Sequence, residues 1–139
     1  MIDPFSRTRY HPRLKLETWY PEGELDHRMA ALMVNHVGFD ERIIDGSFDR
    51  FTDLSRITSI RLDFIELAAL AAERREAYQG QPPVKSAFLA MSAPAYGIAR
   101  MFAALMERSP IDVQVFRDPE TAARWLGVPV ETLGVADAA

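Results

Sequence analysis

Ser92, Tyr96 and Arg100 have side chains and a spacing that could form a small polar site. They lie in the stretch "MSAPAYGIARMFAALMERSP", between an apolar run of strand length and a second apolar run with helical spacing. Hydroxyl and guanidinium groups beside a helix N-terminus can hold an anionic group. The same residues also have a structural interpretation. Ser92 suits an N-cap, Pro94 a first helical turn, and Gly97 a close approach of helix to sheet.

Catalysis has little support in the sequence. Ser92 lacks the flanking glycines of a hydrolase nucleophile elbow, and His11, His27 and His36 all lie in the first quarter of the chain. Histidines in core or capping positions explain this distribution better than a general base does. We therefore predict no catalytic residues and a non-enzymatic protein, with a serine hydrolase as a remote alternative.

The sequence shows no known metal-binding or cofactor-binding motif at the residue spacing that such a motif requires. His27 and His36 are nine residues apart, and no other ligand pair is identified at metal spacing with them. The acidic run from Asp40 to Asp53 lacks the ligand order of an EF-hand loop and is interpreted as a solvated connection. "YGIARM" carries one glycine where a nucleotide fingerprint has two or three. We predict no bound metal and no cofactor.

Composition narrows the class of protein. The 139 residues fit one domain that needs no disulfide, and there is no cysteine. Twenty acidic residues against sixteen basic ones give a net charge of −4 without a basic stripe, which argues against nucleic acid as a partner. The first ten residues lack the apolar core of a signal peptide, and no apolar run is long enough to span a bilayer. A cytoplasmic protein without integral membrane segments is expected.

Strands and helices alternate along the chain, which predicts an α/β fold. An N-terminal antiparallel hairpin is expected to join a mixed, mostly parallel sheet, with about four helices. A first helix is predicted to end at Gly38 and a second to begin near Ser59. The tail from Val128 is expected to fray. The predicted strands are residues 6–10, 14–20, 48–55, 82–91 and 111–118, and the predicted helices lie within residues 24–38, 59–80, 91–110 and 118–127.

Three motifs in order, "FTDLSRIT", "YGIARMF" and "VFRDPETAARWLG", with a helix between each pair, resemble the SpoIIAA-like family of small bacterial proteins. The family is related to STAS domains (sulfate transporter and anti-sigma-factor antagonist) and is compared with the lipid-binding SEC14 fold. The resemblance covers roughly residues 5–127. It implies a single domain over residues 1–127 followed by a tail over 128–139, and roles in apolar ligand binding, membrane association or protein regulation.

The same resemblance tests for a phosphorylation switch. In STAS antagonists, the strand that matches Asp53 to Ser55 is followed by an Asp-Ser-Ser-Gly or similar turn that carries the phosphoacceptor. In this sequence the turn aligns with the stretch Arg61 to Phe64, which contains no hydroxyl group. We expect the switch to be lost. Thr58 and Ser59 are nearby hydroxyls, and helix capping is the favoured role for Ser59.

Ligands of open α/β sheets bind at the carboxyl ends of the strands. Helix residues are then expected to add an apolar cleft between the second and third helices, with Tyr96 and Arg100 at its mouth and Asp53 within reach of Arg100. This gives two hypotheses. One is a module that carries a small apolar or amphipathic ligand or lipid, and the other is a protein-interaction domain that docks a regulator around Ser55 and Phe64. Peripheral membrane contact and a homodimer stay open. The candidate ligand-binding residues are Tyr96, Arg100, Ser92, Asp53, Ser55, Arg117, Phe64 and Phe102.

Overall fold

The structure, a computed structural model, describes residue 5 and residues 7–135. The described residues form seven strands and four α-helices, followed by a short 3-10 helix at Val130–Leu133. The strands are β1 (Arg9–His11), β2 (Leu16–Trp19), β3 (Gly23–Asp26), β4 (Asp49–Asp53), β5 (Ile57–Arg61), β6 (Val84–Leu89) and β7 (Ile111–Phe116). The helices are α1 (His27–Ile43), α2 (Phe64–Ala77), α3 (Ala93–Leu105) and α4 (Pro119–Leu126).

The main sheet has the strand order β1-β2-β4-β6-β7. β1 and β2 pair antiparallel, and all other neighbours in this sheet pair parallel. The predicted α/β class, the antiparallel N-terminal hairpin and the four helices are therefore confirmed. β3 and β5 form a separate parallel pair.

Strand alternation gives the main sheet two different faces. On what we call the α4 face, Leu16, Phe51 and Leu89 pack against α4 and the 3-10 helix. On the opposite face, which we call the cavity face, the intervening residues of β4 and β6 lie beneath α1, α2 and α3. Thus Phe51 belongs to one side of the sheet and its neighbour Arg50 to the other.

The ends of α1 differ from the prediction. The residues before His27 form β3, and Asp26 caps the helix by accepting a hydrogen bond from the Met29 amide. α1 also runs through Gly38 and ends at Ile43. Gly38 is not in the left-handed region, and the extra turn carries a buried carboxylate, Asp40, so tertiary contacts outweigh the stop signal.

The predicted helix start near Ser59 is also wrong. Ser59 lies in β5, and its hydroxyl donates to the Glu24 carboxylate at 3.0 Å across the β3–β5 pair. α2 begins at Phe64 with a capping box, in which Asp63 accepts from the Glu66 amide and Glu66 accepts from the Asp63 amide. Ser59 therefore does not cap a helix.

Two smaller expectations fail on packing. A Cβ atom at Gly97 would meet nothing within 4 Å, so α3 approaches the sheet through Ala95 and Ala99, which are both buried, and not through the glycine. The segment after Gly127 was expected to fray, yet Leu133 is fully buried and its carbonyl accepts a hydrogen bond from the Tyr20 hydroxyl. Residues 136–139 lie outside the described residues.

Candidate functional site

Tyr96 and two arginines form a stacked group on the surface at the strand ends. The Arg117 guanidinium lies 4.5 Å from the Tyr96 ring centroid, and that of Arg100 lies 6.0 Å from it. Ser92 is close in sequence, but its hydroxyl accepts from the Ala95 amide at 3.2 Å and caps α3. The structure therefore brings Tyr96, Arg100 and Arg117 together and gives Ser92 its structural role.

Asp53 and Ser55 form a local turn. Asp53 is only 2% exposed, and its Oδ1 accepts from the Ser55 amide at 2.9 Å and from the Ser55 hydroxyl at 2.6 Å. Asp53 alternates with Thr52 and so lies on the α4 face. Among the described residues, no ion pair joins Asp53 to Arg100. The expected contact between them is therefore not formed.

The two phenylalanines predicted for the cleft separate. Phe102 lines a cavity beneath the helices and meets Phe88 edge to face, with the ring centroids 5.8 Å apart. Phe64 lies in the first turn of α2, is 56% exposed and does not line that cavity. Its i, i+3 spacing with Leu67 predicts burial, and this prediction is wrong for Phe64.

The cavity itself has a volume of about 130 Å³ and lies on the cavity face of the sheet. It is walled by apolar side chains from α1, α2 and α3, so a third helix contributes beyond the two that were predicted. Tyr96 and Arg100 are not among its lining residues, which corrects the predicted mouth of the cleft. Representative lining residues are Met33, Val34, Leu67, Ile98, Phe102 and Met106.

Two buried arginines mark the polar part of the cavity wall. Arg50 in β4 is 5% exposed and Arg74 in α2 is 4% exposed, and both reach the single carboxylate of Glu41. Arg74 donates to both Glu41 oxygens at 3.1 and 2.6 Å, in a bidentate pair. Arg50 Nη2 lies 2.9 Å from Glu41 Oε2, but it makes no well-directed hydrogen bond. Two cations thus share one counterion.

The Arg50 side chain is otherwise fixed in place. Its Nε donates to the Phe48 carbonyl at 3.2 Å, and the guanidinium lies 4.6 Å from the Phe48 ring centroid and 5.3 Å from that of Tyr78. Burial lowers the pKa of Arg50 from its ordinary value, while Glu41 counteracts this. An arginine remains charged under such conditions, so a buried cation lines the cavity.

A second group of buried polar side chains lies on the same side of the sheet. Glu17 in β2 faces His36 and Asp40 in α1, and the three offer oxygen or nitrogen atoms within 4.8 Å of one another. Burial, and then the neighbouring Asp40, raise the pKa of Glu17 to about 9. His36 and Asp40 are four residues apart, an i,i+4 spacing that suits metal ligands, so the prediction that no ligand pairs with His36 at such a spacing is wrong. Asp40 is also buried, so the prediction that it lies in a solvated connection is wrong.

Sequence reasoning therefore missed the arginines and this cluster, although signals were present. Glu17 lies in β2 between Leu16 and Thr18, and Arg50 lies in β4 between Asp49 and Phe51. A charged residue inside a strand must either face solvent or find a buried partner.

Within the described residues, no helix is both long and apolar enough to cross a membrane.

Comparisons with known proteins define the fold. No protein-family model and no curated protein matches the sequence. A similar solved structure is the crystal structure of an uncharacterized protein of the DUF3478 family from Shewanella loihica PV-4. The two chains superpose with a TM-score of 0.50 at 14% sequence identity, over 80% of this chain and 83% of that one. That protein is described as having a SpoIIAA-like fold, and the present chain has a SpoIIAA-like fold as well.

Proposed function

We propose that this protein is a non-enzymatic binding module that holds a small, mainly apolar ligand with a carboxylate head in the cavity between α1, α2 and α3. The observation that carries the proposal is the buried Arg50 guanidinium. It lines an apolar space, and its Nη2, although 2.9 Å from Glu41 Oε2, makes no well-directed hydrogen bond. Burying a donor without a well-directed hydrogen bond is costly, and a ligand oxygen would reduce that cost.

The size of the cavity limits the ligand. An apolar cavity of about 150 Å³ engineered into a protein core holds one benzene molecule. The present space of about 130 Å³ therefore suits a ligand of that order, such as an aromatic or short-chain acid. A long-chain lipid would require the helices to move apart.

The chemistry of the wall supports binding and not catalysis. Thr52 and Ser86 line the cavity, but its described lining contains no histidine or carboxylate that could activate their hydroxyl groups. A carboxylate is favoured over a neutral head because a guanidinium binds it with charge-assisted hydrogen bonds. Arg74 is already engaged in its bidentate pair, so Arg50 is the residue that would meet the ligand.

The experiment compares benzoate with benzyl alcohol by calorimetric titration and thermal unfolding. We expect benzoate to bind and to raise the melting temperature, and benzyl alcohol to bind more weakly. Ala30→Leu fills the cavity and should abolish both effects, whereas Arg50→Met should remove the preference for benzoate. Arg100→Met is the matched control at the surface and should change neither. Absence of binding by benzoate and by hexanoate at millimolar concentration, or binding that survives Ala30→Leu, would refute the proposal.

A second candidate function is docking of a regulatory protein through the start of α2. Phe64 and Ile65 are adjacent there and 56% and 78% exposed, which is the apolar patch that this alternative requires. Ser55, in the neighbouring turn, is exposed as well. Phe64→Ser combined with Ile65→Ser should abolish co-purification of a defined partner while leaving benzoate binding unchanged. Unchanged co-purification would remove this alternative.

A further inference from the structure

Glu17, His36 and Asp40 form a compact group of potential metal ligands on the cavity face. Their ligand atoms lie within 4.8 Å of one another, and His36 Nδ1 lies 3.4 Å from Asp40 Oδ2. Two ligands at about 2.1 Å from a tetrahedral zinc ion are themselves about 3.4 Å apart. The His36–Asp40 pair thus already has the separation of two ligands of one ion, and Glu17 completes the group after a small inward movement.

The group contains polar atoms that the protein itself leaves unsatisfied. Glu17 is 3% exposed and its Oε1 has no hydrogen-bond partner, and the buried Nδ1 of His36 has none either. A carboxyl oxygen and an imidazole nitrogen that are buried without a hydrogen-bond partner are unfavourable in the folded state. A cation between them would satisfy both atoms.

The scaffold fixes the orientation of the imidazole ring. The Phe5 ring stacks on the His36 ring with centroids 5.1 Å apart, and the Trp19 ring meets it edge to face at 4.6 Å. Asp40 follows His36 by one helical turn, so α1 presents both side chains to β2 on the same side. The His36 side chain is 36% exposed, which leaves a route for an ion to enter.

We propose that Glu17, His36 and Asp40 bind a divalent transition-metal ion, of which Zn²⁺ is the best match. One imidazole nitrogen and two carboxylate oxygens are ligands that zinc accepts, and they leave a coordination position for water. Two ionised carboxylates balance the charge of the ion. This site is separate from the apolar cavity, so the proposal does not depend on benzoate binding.

The test titrates metal-stripped protein with Zn²⁺ against a chromophoric chelator. We expect one equivalent to bind, and Glu17→Gln and His36→Gln each to weaken binding by more than about tenfold. The control is His27→Gln. His27 lies 3.9 Å from Glu66 in an exposed pair of the same residue types, and its replacement should leave the affinity unchanged.

A second measurement uses the unaltered protein, in case a variant fails to fold. Mn²⁺ is added at substoichiometric amounts, and the broadening of backbone amide signals is mapped by NMR. Broadening centred on residues 16–19 and 36–40 is expected. No stoichiometric Zn²⁺ binding, or broadening centred instead on His27 and Glu66, would overturn the assignment.

Discussion

On the α4 face of the sheet, Leu16, Phe51 and Leu89 are fully buried against α4 and the 3-10 helix, and apolar side chains fill the space between them. On the cavity face, the same strands bury Glu17 and Arg50 and leave a cavity of about 130 Å³. Two layers that share one set of strands thus differ in both packing and polarity. Buried charge and empty volume each cost stability, and both are concentrated on the face where we propose that a ligand binds.

The largest expected effect separates the faces by packing. Phe51→Ala should lower the free energy of unfolding by about 3–5 kcal/mol, since it empties a filled core. Phe102→Ala should cost about 1–2 kcal/mol, because this half-buried ring already borders a void. Urea unfolding of both variants provides the measurement. Equal losses would contradict the difference in packing between the two faces.

The next effect concerns the shared counterion on the cavity face. Glu41→Gln should lower stability by about 2–4 kcal/mol, because it leaves Arg50 and Arg74 buried without a carboxylate. The matched control is Glu22→Gln, which breaks an exposed pair with Arg56 and should cost less than about 1 kcal/mol. Both changes are measured by urea unfolding at neutral pH. A loss for Glu41→Gln no larger than that of the control would show that the triad is not strongly coupled to folding.

A pH dependence should arise from Glu17 when metal is removed with a chelator. Its pKa is about 9 in the folded protein against 4.5 ordinarily, with Asp40, His36 and Arg50 as its charged or titratable neighbours. Between these values the folded state holds a proton that the unfolded state releases, so stability must fall as pH rises. The slope contributed is at most about 1.4 kcal/mol per pH unit.

Glu17→Gln removes this titration and should flatten the dependence of stability on pH between about 6 and 8. Thermal unfolding at several pH values in the presence of the chelator measures the slope for both proteins. An identical slope in the variant and the unaltered protein would rule out Glu17 as its source.

The smallest effect separates folding from binding at α3. Ser92→Ala removes one cap hydrogen bond and should cost about 0.5–1 kcal/mol, without a change in benzoate affinity. Ser92→Asp keeps an acceptor for the Ala95 amide and should restore the stability. Chemical unfolding and calorimetric titration measure the two quantities. Weaker benzoate binding by Ser92→Ala would place the ligand at the strand ends after all.

The sequence predicted the fold well where local signals and tertiary structure agree. Asp118, Pro119 and Gly127 mark the ends of α4, and the structure shows Asp118 accepting from the Thr121 amide and Gly127 in the left-handed region. The prediction from sequence failed at Gly38, because tertiary contacts override the local signal that would end α1 there. The periodicity of the apolar residues and the capping residues were enough to predict the α/β class, the hairpin and the order of the later elements.

The candidate site was harder to predict because its residues meet through tertiary packing. Glu17, Arg50 and Arg74 come from two strands and a helix and lie 33 and 24 residues apart along the chain. Tyr96 and Arg100 were favoured since they are close in sequence and near the strand ends. Spacing within one helix could have identified His36 with Asp40, but not the strand that supplies the third ligand.

The contact between Tyr20 and Leu133 has a consequence for how the molecule folds. These residues are 113 positions apart, and they close the same layer of the core. Loop closure over such a distance costs entropy before any contact compensates for it, which slows folding. Until the segment around Leu133 has been synthesised, the N-terminal hairpin exposes apolar surface on the α4 face. This layer therefore cannot be completed before the segment around Leu133 has left the ribosome.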